Sequence, residues 1–329
     1  MSYSYLLYRK LMELFLSVIL FCAGLAFIIK GGGFLVDSAL QLGKITRMST
    51  VFIGATFMAI ATAMPELFLS IFAVTSGNHG LATGNAIGGM IATMALVLGL
   101  YITFMPGSVN KSEVSQKNIF LMVTLVVIIW FARDLLITWK NGIALLFGFG
   151  LYLYLSTKKS KSTKQPSLLP PQPICKHLKR KTLSTFLFGQ ILLIGGAFML
   201  VKNGNNIATL FDLSDTFIGF TLIAIGTSAP ELTTVFTSIK RKSGNLALGN
   251  ILGSNIITAT LLLGSLGLMG GHLPISQSTF MISLPVLAIV SMLAILPIMI
   301  KGRTYRWQGI SLIVIYALYL VYLGIVQPA

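Results

Sequence analysis

Glu66 and Glu231 are the two acidic residues of this chain that fall deep inside long apolar runs. The other six acids, Glu13, Asp37, Glu113, Asp134, Asp212 and Asp215, lie near run ends or in polar gaps. A charge at the centre of a bilayer costs about 2.5–3.5 kcal/mol on insertion scales, so two of them call for a compensating partner. No lysine or arginine lies within the same runs or those that follow them, and a bound cation supplies the missing charge. Each glutamate follows a proline, Pro65 or Pro230. Proline has no N–H, so the carbonyls at Ala61 and Gly226 lose their helical donors and can turn to a cation. Thr62 and Thr227 stand one helical turn before the glutamates, on the same face. In the following runs Ser254 and Thr258 share a face, and Gly89 and Thr93 hold the matching places. Carboxylate, hydroxyl and carbonyl oxygens without a soft ligand suit Ca2+, Na+ or another hard cation.

The elements that position these residues can be read from composition. Of 329 residues, 55% are hydrophobic and 10% charged, against about 25% charged in soluble domains. Apolar runs fall at 11–35, 50–75, 81–104, 118–134 and 138–155, then at 184–211, 215–238, 246–269, 278–300 and 307–326. Each suffices for a transmembrane helix of about 20 residues. The fold class expected is an all-α integral membrane protein. Between the two sets, a stretch rich in lysine and proline cannot bury a core and reads as a linker. The expected division is 1–156, a linker at 157–182, and 183–329.

The two sets are copies. With the chain displaced by 165 residues, Phe52–Leu67 matches Phe217–Leu232 at 10 of 16 positions, and Leu81–Gly99 matches Leu246–Gly264 at 10 of 19. Five helices per copy force the second to insert upside down, giving ten transmembrane helices as two inverted five-helix repeats, a pattern of secondary transporters. Placing the linker in the cytoplasm and both termini outside puts 18 of the 24 basic residues in inside loops, as the positive-inside rule requires. The first run follows Arg9 and Lys10 like a signal peptide but lacks a convincing cleavage site, and it is read as a retained helix. The net charge of +16 sits in short gaps, so it orients the protein and forms no basic domain for nucleic acid. Cys22 and Cys175 suggest neither disulfide nor metal cluster. His79, His177 and His272 have no partner at ligand spacing. No nucleophile–base pair or phosphate-cradling loop points to an enzyme, and no cofactor is expected. The glycines at 84, 88, 89, 249 and 253 are read as helix-packing residues.

ATAMPE at 61–66 with GNAIGGMIAT at 84–93, and GTSAPE at 226–231 with GNILGSNIIT at 249–258, resemble the two alpha-repeats of the sodium/calcium exchanger family, within the cation/calcium antiporter superfamily. The resemblance covers the whole chain and implies a prokaryotic-type, ten-helix antiporter in the cell (inner) membrane. It would exchange inorganic cations across the lipid bilayer, with a monomer the expected unit. It implies Ca2+ ligands at Glu66 and Glu231 with backbone oxygens at Thr62 and Thr227. It places the sodium sites at Ala59, Ala63, Gly89, Ala224, Thr227, Ser228 and Ser254, and the last repeat position at Thr93 and Thr258. Against the family pattern, Ala63 and Gly89 each replace a serine, Met90 an asparagine and Thr258 a carboxylate. This leaves three readings: Na+/Ca2+ exchange by alternating access, cation/H+ antiport on the same scaffold, and a membrane scaffold that no longer transports.

Overall fold

The structure, a computed structural model, describes residues 2–46, 48–162, 176–210 and 224–326. They form ten helices: α1 (Ser2–Thr46), α2 (Thr50–Thr75), α3 (His79–Phe104), α4 (Lys111–Ala132), α5 (Trp139–Ser162), α6 (Lys176–Leu210), α7 (Ala224–Lys240), α8 (Gly244–Gly270), α9 (Thr279–Lys301) and α10 (Arg306–Val326). Each expected apolar run corresponds to one helix. Part of the linker, with Cys175, and the start of the run at 215–238, with Asp212 and Asp215 before it, lie outside the described residues. Eight of the helices are long and apolar enough to cross a membrane by length and composition.

Helix ends differ from the apolar runs where tertiary packing extends a helix. The first helix continues well beyond residue 35 because Val36 and Ala39 pack against Phe52, Ile53 and Leu246. Burial there sustains a helix that local hydropathy would end. Similarly, α4 starts at Lys111 behind Asn110, with Glu113 in its first turn, where an acid favours the helix N-terminus.

The helices form a centre and a flank. In α3 and α8, 72% and 83% of the apolar span is buried, against 17% in α1 and 28% in α6. Helices apolar on all sides belong in an interior or in lipid, and α3 and α8 are enclosed by protein. The flanking pair α1 and α6 lie along each other through glycines: a Cβ added at Gly24 would meet the Gly196 carbonyl oxygen at 2.9 Å, and one at Gly31 the Gly189 carbonyl oxygen at 2.8 Å. This small-residue seam leans on α2 and α7, the helices that carry the glutamates. The outer surface is apolar, with Phe72, Phe147, Ile191 and Ile300 exposed. Trp130, Trp139 and Trp307 stand near helix ends, as interfacial anchors do, with the Arg133 guanidinium 4.3 Å from the Trp130 ring centre.

Two miniature antiparallel sheets close the ends. Gly107–Ser108 (β1) pairs with Arg303–Thr304 (β4), and Leu136–Thr138 (β2) pairs with His272–Pro274 (β3). The repeat displacement maps β1 onto β3 and β2 onto β4. The sheets are therefore repeat mates, each joining a loop of one half to a loop of the other.

Candidate cation site

Glu66 on α2 and Glu231 on α7 are 2% and 0% exposed, on two helices that pack against each other. Thr258 Oγ1, from α8, donates to Glu66 Oε2 at 3.3 Å, crossing from one repeat to the other. Glu66 Oε1 and both carboxylate oxygens of Glu231 have no hydrogen-bond partner among the described residues. The other described acids do have partners. Glu13 pairs with Arg9, Asp37 with Arg241 and Asp134 with Arg133, and Glu113 accepts from Asn110. A buried polar atom left unpaired costs about 1–3 kcal/mol, and more when charged. Three such oxygens on two facing carboxylates can be satisfied together by one bridging cation.

The backbone around each glutamate is held by the asparagine of the Gly-Asn pair. Asn85 Nδ2 donates to Ser70 Oγ at 2.8 Å and to the Glu66 carbonyl at 3.3 Å. Asn250 Nδ2 donates to Thr234 Oγ1 at 3.0 Å, and Thr234 Oγ1 donates to the Glu231 carbonyl at 2.9 Å. Sequence reading noted the Gly-Asn pairs and missed this bracing role. The available signal was their constant position, 19 residues after each glutamate.

The remaining site residues fall as follows. Thr62 is fully buried, and its hydroxyl donates to Asn250 Oδ1 at 3.3 Å and toward the Ala59 carbonyl at 3.4 Å. Ala59 is fully buried, as is Ser228, whose Oγ has no partner among the described residues. Ser254, Thr93 and Thr258 are each 2% exposed. Thr93 and Thr258 open wide, π-type turns at repeat-equivalent places, Thr93–Val97 and Thr258–Leu262; such turns often mark functional sites. The first packs against α7 and the second against α2, so each repeat presents its threonine turn to the glutamate helix of the other. Ala224 and Thr227 lie in the first turn of α7; their side chains lie outside the described residues.

Two expectations change. The Ala61 carbonyl, freed by Pro65, already has a partner, because Gln190 Nε2 on α6 donates to it at 2.8 Å. A lone glutamine inside an apolar run was the overlooked signal, since mid-membrane polar side chains seek partners. The glycines also divide by role. Gly249 and Gly253 on α8 pack against the backbone of α2, whereas Gly89 faces the site, where an added Cβ would lie 3.0 Å from Glu66 Oε1. Gln190→Leu strands the Ala61 carbonyl and is expected to lower stability by about 1–3 kcal/mol, read as an earlier thermal unfolding transition in detergent.

Comparison with known proteins agrees with this arrangement. The family described as sodium/calcium exchanger protein matches residues 16–158 and 181–324, one stretch in each half. An uncharacterised membrane protein of Methanocaldococcus jannaschii is 34% identical over 308 residues, covering 92% of this chain and 96% of that protein. A sodium/calcium exchanger of Methanosarcina acetivorans is 26% identical over 338 residues, covering 91% of this chain and 96% of its own length. The solved structure of the sodium-calcium exchanger NCX_Mj, soaked with Na+ and Sr2+, superposes with a TM-score of 0.80 at 30% identity over 96% of this chain and 100% of that one. The matches run through both repeats, and the chain belongs to the sodium/calcium exchanger family.

Proposed function

We propose that this multi-pass membrane antiporter exchanges Na+ for Ca2+ by alternating access, holding the ion between Glu66 and Glu231. The observation that carries the reading is the facing pair of buried carboxylates, with three unpaired oxygens, at equivalent places of two inverted repeats. Two carboxylates neutralise one Ca2+, and the same oxygens accept Na+ when Ca2+ leaves. In this reading Thr62, Thr227, Ala59, Ala224, Ser228, Ser254, Thr93 and Thr258 complete the ion shells through backbone or hydroxyl oxygens. The flanking pair α1 and α6 shifts against the other helices to open one side at a time. That pair is suited to the task, because it is held by a glycine seam and its apolar spans are only 17% and 28% buried.

The same proposal sets the protein in the cell (inner) membrane with the linker at 157–182 cytoplasmic, the halves 1–156 and 183–329 on either side of it, and both termini outside. The asymmetric basic charge of the loops supports this orientation. Sodium-gradient-driven uptake of radiolabelled Ca2+ into proteoliposomes tests the function. Uptake is expected to need the sodium gradient, and uptake no greater than that of an E66Q/E231Q control refutes it.

A further inference from the structure

The two repeats do not bring equal sets of ligands. We propose that exchange here moves one Ca2+ against two monovalent cations with no net charge, and that Ala63 and Gly89 set this ratio. The inference rests on the exchange reading above and supplies its stoichiometry.

Where the second repeat has Ser228, Ser254 and Asn255, the first has Ala63, Gly89 and Met90. The structure fills these places with apolar groups or with Glu66, not with substitute oxygens. Ala63 clusters with Ala59 and Ile257, and the small cavity beside it is lined by apolar residues, among them Ile60, Leu67 and Leu261. Met90, 1% exposed, is part of the apolar core. The space left at Gly89 is occupied by Glu66, whose Oε1 lies 3.0 Å from where a Cβ would stand. Thr258, the hydroxyl that does reach Glu66, already donates to its Oε2 at 3.3 Å. On the second-repeat side, Ser228 Oγ and both oxygens of Glu231 are buried without partners among the described residues. Oxygens able to complete a monovalent shell are therefore concentrated on one side of the site.

Charge sets the same limit. Thr93 and Thr258 add none, so the fixed charge of the site is that of two carboxylates. Among the described residues, Glu113 and Lys117 are also buried, but they belong to the first two turns of α4, where Lys117 Nζ donates to the Glu113 carbonyl at 3.1 Å. One divalent ion or two monovalent ions leave the site neutral. A third monovalent ion would bury an unpaired positive charge with no first-repeat hydroxyl at 63 or 89 to receive it. Both halves of the transport cycle then carry a neutral site through the membrane field.

The test uses the full chain in proteoliposomes, with the potential clamped by K+ and valinomycin and Ca2+ followed to its equilibrium distribution. A cycle carrying one net charge would shift that distribution about 50-fold per 100 mV; the expected shift is under about twofold. At zero potential a tenfold sodium gradient is expected to sustain a Ca2+ ratio of about 100-fold. A ratio near about 1,000-fold, or a strong dependence on potential, overturns the proposal. Ala63→Ser combined with Gly89→Ser is expected to steepen the sodium dependence and make exchange voltage-sensitive. A double variant that folds, transports and stays neutral overturns the role of these two residues. If it does not fold, the wild-type ratios decide the stoichiometry alone. Absence of any sodium-driven flux in the wild type is a separate result, which removes the exchange reading and this one with it.

Discussion

Glu231→Gln is expected to abolish Ca2+ transport while leaving the protein folded. Both oxygens of this carboxylate are buried and unpaired, so they contribute little to holding the empty structure together. The substitution keeps the side-chain volume and removes a buried charge that has no protein partner among the described residues. The ion-free variant should therefore melt no lower than the wild type. Its effect on the ion is the opposite, since removing one partner of a desolvated charge pair costs about 2–5 kcal/mol. That is a loss of about 30-fold or more in Ca2+ affinity. Wild-type protein at 100 times its dissociation constant should gain about 2.7 kcal/mol from bound Ca2+, seen as a rise in melting temperature that the variant lacks. A variant that unfolds without Ca2+, or one that keeps the full Ca2+-dependent rise, contradicts this role for Glu231.

Gly253→Ala carries the largest expected effect on folding. A Cβ at this position would overlap the Ala55 carbonyl oxygen and lie 2.5 Å from its Cα. Backbone cannot swing aside as a flexible side chain can, and the same carbonyl is fixed from another direction by the Tyr152 hydroxyl, which donates to it at 2.6 Å. Relief would require separating α2 from α8, whose apolar span is 83% buried and which carries Thr258 to Glu66. Overpacking in a well-packed core commonly costs about 1–3 kcal/mol, and a backbone clash between central helices is expected at or above the top of that range. Loss of the monodisperse peak in detergent size-exclusion chromatography, or a melting temperature lower by several degrees, is the measurable outcome. Gly33, which has no neighbour within 4 Å of an added Cβ, should accept alanine with little change and serves as the control.

Much of the fold could be read in the sequence because the bilayer imposes length and hydropathy on each span. The repeat was equally plain, since Pro-Glu and Gly-Asn recur in fixed register. The burial of the two glutamates was legible too, because each lies deep inside an apolar run. What the sequence could not supply were partners on other helices. Periodicity assigns a face to a residue and says nothing about which helix lies opposite. The Ala61 carbonyl is therefore partnerless by sequence, yet Gln190, 129 residues away, donates to it. For the same reason Gly89 was grouped with the packing glycines, although it is the glutamate of the neighbouring helix that fills its space. The wide turns at Thr93 and Thr258 have no local signature beyond recurrence, because they arise where packing between helices outweighs regular backbone geometry.

The two miniature sheets bear on how the chain is made. The Gly107 amide donates to the Thr304 hydroxyl across 197 residues of sequence, and β2 likewise waits for β3. At about 5–20 residues per second, the edge of β1 emerges about 10–40 s before its partner has been synthesised. During that interval the first half sits in the membrane with its loop edges open and the α2 surface that receives α8 uncovered. The unit that was duplicated is thus not the unit that completes folding. A ribosome stalled within the second half would leave a half-built membrane protein exposed to quality-control proteases, and once the second sheet has closed only α10 remains to be added, its Gly309 packing on Gly99 of α3.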